Sequence, residues 1–197
     1  MLKEALLGST AGAPVEIWFQ DEARVGQKGT LSYVWAPAGS RPPMVRDNRH
    51  DTAYILGAIC PARGVGAAII TPAANTECIN LHLAEISSQV APVAVAALIW
   101  DGARGHQTGS VLEVPANIVP ITLPPYSPEL NPMENVREYL RANKLSACVW
   151  ENYDAIVAAC ADAWNWLIGD PQRIRSIGSR DWATVNVQGG WYYCKIC

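Results

Sequence analysis

The sequence VAVAALIWD, residues 93–101, is a continuous apolar run that ends in a carboxylate. An uninterrupted run of this kind is typical of a strand that is buried on both faces of a sheet. Before it, residues 75–90 repeat apolar side chains at helical spacing, with an N-cap at Asn75 or Thr76. We therefore predict that the apolar run is the central strand and that Asp101 leaves the sheet at one edge.

The other apolar segments change character along the chain, with strands first and alternating helices and strands later. Turns rich in proline and glycine separate the early strands, which predicts an antiparallel meander. Strand patterns occupy residues 15–20, 31–35, 52–60, 66–71 and 118–123, and helical patterns occupy residues 132–144 and 152–168. We therefore predict an α/β fold in which a mixed β-sheet, an antiparallel meander plus parallel strands, is flanked by α-helices.

Length and composition indicate one domain without a membrane segment. The chain has 197 residues, of which 50% are hydrophobic and 17% charged, enough to bury a sizeable core. No apolar segment reaches the roughly 18 residues needed to cross a bilayer, and the N-terminus lacks the pattern of a signal peptide. Six cysteines without a framework pattern indicate reduced thiols. We therefore expect a soluble cytoplasmic protein.

The charge balance argues against one class of function. A net charge of −3 and a pI near 5.6 do not suit a free-standing nucleic-acid-binding module, which usually carries a basic footprint. A nuclease domain is compatible with this charge, because carboxylates that line a metal site add acid of their own and bound cations reverse the local sign.

Three acidic residues stand at positions that suit a metal site. Asp21 follows the apolar run at 15–19, Asp101 follows the central strand, and Glu134 opens a helix after a proline-punctuated turn. Hard cations such as Mg²⁺ and Mn²⁺ prefer oxygen ligands, and protein sites usually supply a few carboxylates. Taken singly, each acid is more often a cap or a solvated charge, but the three together in these contexts favour a metal site. Glu129 is the rival for the third acid, and Glu134 is preferred because it lies at the helix start.

The strings around these acids resemble a known family. They are DEAR at 21–24, IWDGARGH at 99–106, LPPYSPELNPMEN at 123–135 and SIGSRDW at 176–182. Together they resemble the catalytic domain of bacterial insertion-sequence transposases of the mariner superfamily, the DDE endonucleases. The proline-rich string is highly specific, and the likeness runs from about residue 15 to residue 182.

The resemblance implies an RNase H-like fold and a catalytic, metal-binding triad of Asp21, Asp101 and Glu134. It also implies cleavage and transfer of DNA strands at transposon ends, with Mg²⁺ as cofactor, Mn²⁺ as its substitute, and two ions in the site. The implied partners are double-stranded DNA with TA target sites, a second copy of the chain, and a separate helix-turn-helix region. We accordingly divide the chain into a linker remnant at 1–14, a catalytic domain at 15–182 and a tail at 183–197.

Further residues receive supporting roles near the triad or on DNA. We expect support for the acids from Glu22, His106 and Asn135, and DNA contacts from Arg41, Arg46, Arg49 and Trp35. Each of these has a structural alternative, as a solvated charge, a turn residue or a core aromatic. Arginine in a loop suits phosphate contact, and an exposed tryptophan suits base stacking.

Two departures from the family pattern leave other functions open. Arg104 and Arg137 stand where the family favours aromatic side chains, and a buried arginine is costly unless it reaches water. The chain also begins just before the first catalytic strand. The alternatives are therefore a truncated, catalytically inactive remnant that dimerises with full-length relatives, and an RNase H-like nuclease that acts on RNA–DNA hybrids.

Overall fold

The computed structural model describes residues 12–27, 37–40, 49–101, 111–124, 127–146 and 148–180. The strand expected at 31–35 lies outside these residues. So do four residues assigned a role from the sequence, namely Trp35, Arg41, Arg46 and His106.

The described residues form a five-stranded sheet in the order β3-β2-β1-β4-β5. The strands are β1 Val15–Gly26, β2 Thr52–Cys60, β3 Val65–Thr71, β4 Val95–Trp100 and β5 Ile118–Thr122. The pairs β1–β2 and β2–β3 are antiparallel, whereas β1–β4 and β4–β5 are parallel. The predicted α/β class, a mixed sheet with an RNase H-like arrangement, is confirmed.

β1 is longer than the sequence pattern predicts, and this changes the place of Asp21. The strand was expected to end at Gln20, yet it continues to Gly26 because β2 pairs with it from Phe19 onwards. The parallel pairing with β4 stops at Phe19. Asp21 therefore lies within a strand, just beyond the point where β1 loses its neighbour on one side.

Four α-helices among the described residues cover the two faces of the sheet. They are α1 Thr76–Gln89, α2 Met133–Leu140, α3 Tyr153–Ile168 and α4 Pro171–Gly178. The helix expected at 132–144 is α-helical as far as Leu140 and then continues as a π-helical turn, Arg141–Leu145. α4 was not predicted, although Asp170 caps it and Pro171 occupies its first turn, a combination that favours a helix start. None of the described helices combines the length and apolar composition that a bilayer span requires.

Alternation along the central strands separates two cores. Phe19 and Ile99 point towards α2, α3 and α4, whose buried side chains include Val136. Trp18 and Leu98 point to the opposite face, which α1 covers. Because side chains alternate along a strand, Asp21 belongs to the face of Phe19 and therefore to the side on which α2 packs.

Gly57 in β2 lets α2 and α3 approach the sheet beside Asp21, its cross-strand partner. A Cβ atom at this position would lie 2.8 Å from Cζ3 of Trp164 in α3 and 3.2 Å from Cε of Met133 in α2. Both distances are shorter than side chains normally tolerate, so the absence of a side chain at Gly57 fixes the depth at which the two helices pack.

We predict that Gly57→Ala lowers the free energy of unfolding by about 1–3 kcal/mol, because the added methyl group overpacks the core against the Trp164 ring. Urea denaturation checks this loss. The cost should be smaller in a Trp164→Phe background, which lacks the outer ring atoms that the methyl group meets. An equal cost in both backgrounds contradicts the steric explanation.

His82 on α1 is a polar residue in the core on the opposite face of the sheet, the face that α1 covers. Its side chain is buried, and its Nε2 lies 3.4 Å from the carbonyl oxygen of Ala67 in β3. Burial lowers the pKa of His82 from 6.5 to about 4, and the contact with Ala67 opposes that shift. The folded protein therefore keeps this imidazole neutral at a pH where the unfolded chain would bind a proton.

We predict that His82 destabilises the fold as the pH falls from about 6.5 to about 4, because the unfolded state then binds a proton that the folded state does not. Between about pH 7.5 and about pH 5 the free energy of unfolding should fall by about 2 kcal/mol more than in His82→Gln. Denaturation at both pH values measures the difference, and other titrating groups cancel in the comparison. Parallel losses in the two proteins would refute this prediction.

Candidate active site

Asp21 and Asp101 both lie at the edge of the sheet where β4 ends. The parallel register pairs Val15 with Val95 and Phe19 with Ile99, and each aspartate follows that last pair by two residues. Asp101 directly follows β4 and is exposed, whereas Asp21 is partly buried. Asp21, which is within β1, follows the alternation of the face that α2 covers.

Glu134 reaches this edge because the start of α2 is tied to β1. Asn131, which is buried, donates from Nδ2 to the carbonyl oxygen of Gln20 at 3.0 Å. Its Oδ1 accepts a hydrogen bond from the backbone N–H of Met133 at 3.1 Å. One side chain thus joins the residue before Asp21 to the first turn of the helix that carries Glu134.

An open cleft of about 410 Å³ brings the predicted acids together. Its lining consists of Gln20, Asp21, Glu22, Arg24, Tyr54, Asp101, Glu134 and Arg137. The rival acid, Glu129, is exposed in a short 3₁₀ turn, Pro128–Leu130, and is not part of this lining. The three acids assigned from the sequence therefore share one cleft with Glu22.

The electrostatics of the cleft centre on Asp21. The pKa of Asp21 is raised from 3.8 to about 6, mainly by burial and also by the negative charges of Glu22 and Glu134. The backbone N–H of Glu22, which donates to Asp21 Oδ1 at 2.8 Å, and the charge of Arg137 oppose the shift. Asp21 thus lies in a desolvated position with other acids nearby, which a bound cation would relieve.

The donor set suits a hard divalent cation, since every acid in the cleft offers carboxylate oxygens. In the described part of the chain, however, no three carboxylate, imidazole or thiol groups converge closely enough to hold one metal ion. Glu134 also has another partner, because its Oε2 accepts a hydrogen bond from Nη2 of Arg137 in an ion pair. The chemistry of the lining fits Mg²⁺ or Mn²⁺, and the contact with Arg137 competes with coordination by Glu134.

Arg137 is the cleft residue whose role the sequence did not reveal. Its side chain is 38% exposed, so it reaches water, as an arginine in place of an aromatic residue must. Its Nε is buried without a hydrogen-bond partner. Glu134 and Arg137 are three residues apart on a helix, a spacing that permits an ion pair. This spacing is the feature of the sequence from which the contact could have been predicted.

The remaining predicted site residues fall in different places. Asn135 is exposed on α2 and is not part of the cleft lining. Arg49 donates from Nη1 to the carbonyl oxygen of Glu151 at 2.7 Å and from Nη2 to that of Trp150 at 2.6 Å. These bonds join Arg49 to the segment that precedes α3. The proposed contact of Arg49 with DNA stays a prediction.

Sequence comparison identifies the family. Residues 16–156 match the model of the DDE superfamily endonucleases. The uncharacterised protein y4pE/y4sA of Sinorhizobium fredii is 50% identical over 131 residues, which is 66% of this chain and 96% of that protein.

Structure comparison agrees on the fold. The Mos1 mariner paired-end complex with Mn superposes with a TM-score of 0.57 at 16% identity, over 82% of this chain and 51% of the Mos1 chain. The Mos1 strand transfer complex gives 0.56 at 17% identity, over 82% and 50%. The chain thus spans about half the length of the Mos1 chains that it matches, and likeness at this identity concerns the fold.

We predict that Asn131→Ala lowers the free energy of unfolding by about 1–3 kcal/mol, because it leaves the buried Gln20 carbonyl and the Met133 N–H without their partner. Urea denaturation provides the measurement. Asn135→Ala is the matched control, since it removes the same amide from an exposed position on α2 and should change stability by less than about 0.5 kcal/mol. Equal effects of the two substitutions would show that Asn131 does not tie α2 to β1.

Proposed function

The chain belongs to the DDE superfamily of endonucleases, and on that premise we propose that it is a transposase catalytic domain that cleaves and transfers DNA strands at transposon ends. The observation that carries the proposal is the shared cleft, which Asp21, Asp101 and Glu134 line at one edge of an RNase H-like sheet. A folded relative without a function on phosphodiesters would not need three acids from distant parts of the chain in one cleft, with Asp21 among them partly buried.

The three carboxylates would hold Mg²⁺, or Mn²⁺ in its place, as a pair of ions. When bound, such ions act as Lewis acids on the phosphate and lower the pKa of an attacking water. Asp21, held within β1, and Asp101, at the end of β4, would form the rigid part of the site. Glu134, on a helix tied to β1 by Asn131, would complete it.

The positive side chains of the lining suit a phosphate group. Arg24 and Arg137 are both part of the cleft, and guanidinium groups bind phosphate oxygens through paired hydrogen bonds. We infer that they lie beside the DNA backbone at the cleavage point. Arg41, Arg46, Arg49 and Trp35 are proposed to contact the DNA farther from the acids.

We infer that double-stranded DNA is the substrate, that insertion occurs at TA sites, and that two copies of the chain act together in the cytoplasm. The structures of Mos1 support the DNA substrate, because one is a paired-end complex with the left transposon end and another is a strand transfer complex. A helix-turn-helix region on another segment or chain is proposed to recognise the transposon ends.

One observation favours the alternative of a catalytically inactive relative that pairs with active transposases. Glu134, the third acid, forms an ion pair with Arg137 on the same helix. An acid that cannot leave its partner could not take part in metal-assisted cleavage. Nicking assays with the isolated chain therefore decide between the two functions.

We predict that Asp21→Asn, Asp101→Asn and Glu134→Gln each reduce Mn²⁺-supported nicking of transposon-end DNA by at least about 100-fold. The loss of a residue that only supports a metal ligand can already reduce activity by about 100-fold, so the loss of a ligand should cost at least as much. Glu129→Gln is the matched control, since it removes an acid that lies outside the cleft lining. Radiolabelled duplexes resolved on denaturing gels provide the measurement, with an RNA–DNA hybrid as the competing substrate.

Undiminished nicking in all three cleft variants would remove the proposed site. Preference for the hybrid would indicate a nuclease of the RNase H type. If the wild-type chain binds Mn²⁺ but does not nick DNA, the result would favour the catalytically inactive relative.

A further inference from the structure

Arg137 lies in the cleft in direct contact with the third carboxylate, that of Glu134. Its Nη2 donates to Oε2 of Glu134, and the same side chain lines the cleft beside Asp21 and Asp101. It also lines a smaller adjoining pocket that includes Gly57 and other residues below α2. Arg137 thus lies between the acids and the helix-to-sheet contact.

The side chain of Arg137 lies along the protein surface and does not extend freely into solvent. Its Nε is buried, although 38% of the side chain as a whole is exposed. The guanidinium is therefore oriented by packing as well as by charge. An arginine oriented in this way loses less freedom on pairing with a carboxylate than a fully solvated side chain would.

A cation at Oε2 of Glu134 would compete with the guanidinium of Arg137. Coordination places Mg²⁺ about 2 Å from a carboxylate oxygen. The Glu134 oxygen that faces Arg137 already accepts a charged hydrogen bond. A divalent ion at the same oxygen would lie within a few ångströms of a positive charge, where repulsion is strong even at a partly exposed site.

We propose that Arg137 is a positioning residue whose guanidinium serves as the internal counter-cation of Glu134, so that Mg²⁺ or Mn²⁺ binds Oε2 of Glu134 only after the guanidinium has left it. The inference rests on the proposed metal site and adds to it a determinant of cation affinity.

Titration of the full chain with Mn²⁺, followed by electron paramagnetic resonance, tests the proposal without any measurement of cleavage. Arg137→Gln should bind Mn²⁺ about tenfold more tightly than the wild type, since a nearby positive charge is lost at a partly screened site. Arg141→Gln removes the same charge from an exposed side chain outside the cleft lining and should change affinity by less than about twofold. Arg137→Lys, which keeps the charge, should remain close to the wild type.

A second comparison isolates the contact with Glu134. In a Glu134→Gln background the gain from Arg137→Gln should disappear, because the carboxylate that the guanidinium blocks is no longer present. A gain that persists in this background would overturn the proposal and indicate a general effect of charge. Equal or weaker Mn²⁺ binding by Arg137→Gln in the otherwise wild-type chain would overturn it as well.

Asp21→Asn separates a failure of this inference from a failure of the proposed function. If Asp21→Asn binds Mn²⁺ as the wild type does, the metal site itself is wrong. If Asp21→Asn loses binding while Arg137→Gln matches the wild type, the site stands and the role of Arg137 is refuted. Circular dichroism melting curves show that each variant is folded before it is titrated.

Discussion

β1 carries the constraint on which the site depends, because strands of different direction bond to its two edges. Its first part pairs in parallel with β4, from Val15 to Phe19, and its later part pairs with β2 in the antiparallel sense. The parallel part ends two residues before both Asp21 and Asp101. The antiparallel part sets Asp21 opposite Gly57, where side chains of α2 and α3 lie close to the sheet. A single strand therefore positions the first acid relative to both of the others.

Most of the fold follows from periodicity that is local in the sequence. The apolar run of β4, the strands β2, β3 and β5, and the helices α1 and α3 lie within a few residues of their predicted bounds. The extension of β1 was missed because DEARVG is polar and resembles the end of a strand; it is a strand through its pairing with β2. α4 was missed because a short segment after a glycine gave no helical period, despite its capping residues.

The sequence indicated which acids come together in one cleft, but not the contacts that arrange them; their role in catalysis stays a prediction. The motifs singled out Asp21, Asp101 and Glu134, and the structure brings all three to one cleft. The link between Asn131 and Gln20 joins residues 111 positions apart, and no local pattern reports such a bond. Similarly, the spacing of Glu134 and Arg137 permits an ion pair, but whether the guanidinium turns into the cleft depends on packing around α2.

Because the two faces of the sheet pack against different cores, each residue of β1 must stay an even or odd number of positions from Phe19 to keep its side chain on the correct face. Phe19 and Asp21 share one face, while Trp18 and Gln20 share the other. Inserting or deleting one amino acid between Phe19 and Asp21 would leave the composition of the strand nearly unchanged. It would nevertheless move the carboxylate of Asp21 to the face that α1 covers, away from Asp101 and Glu134. Evolution can therefore lengthen this strand at its far end, beyond Gly26, more freely than in its middle. Insertions and deletions among homologues should avoid the few positions that connect the apolar half of β1 to its acid.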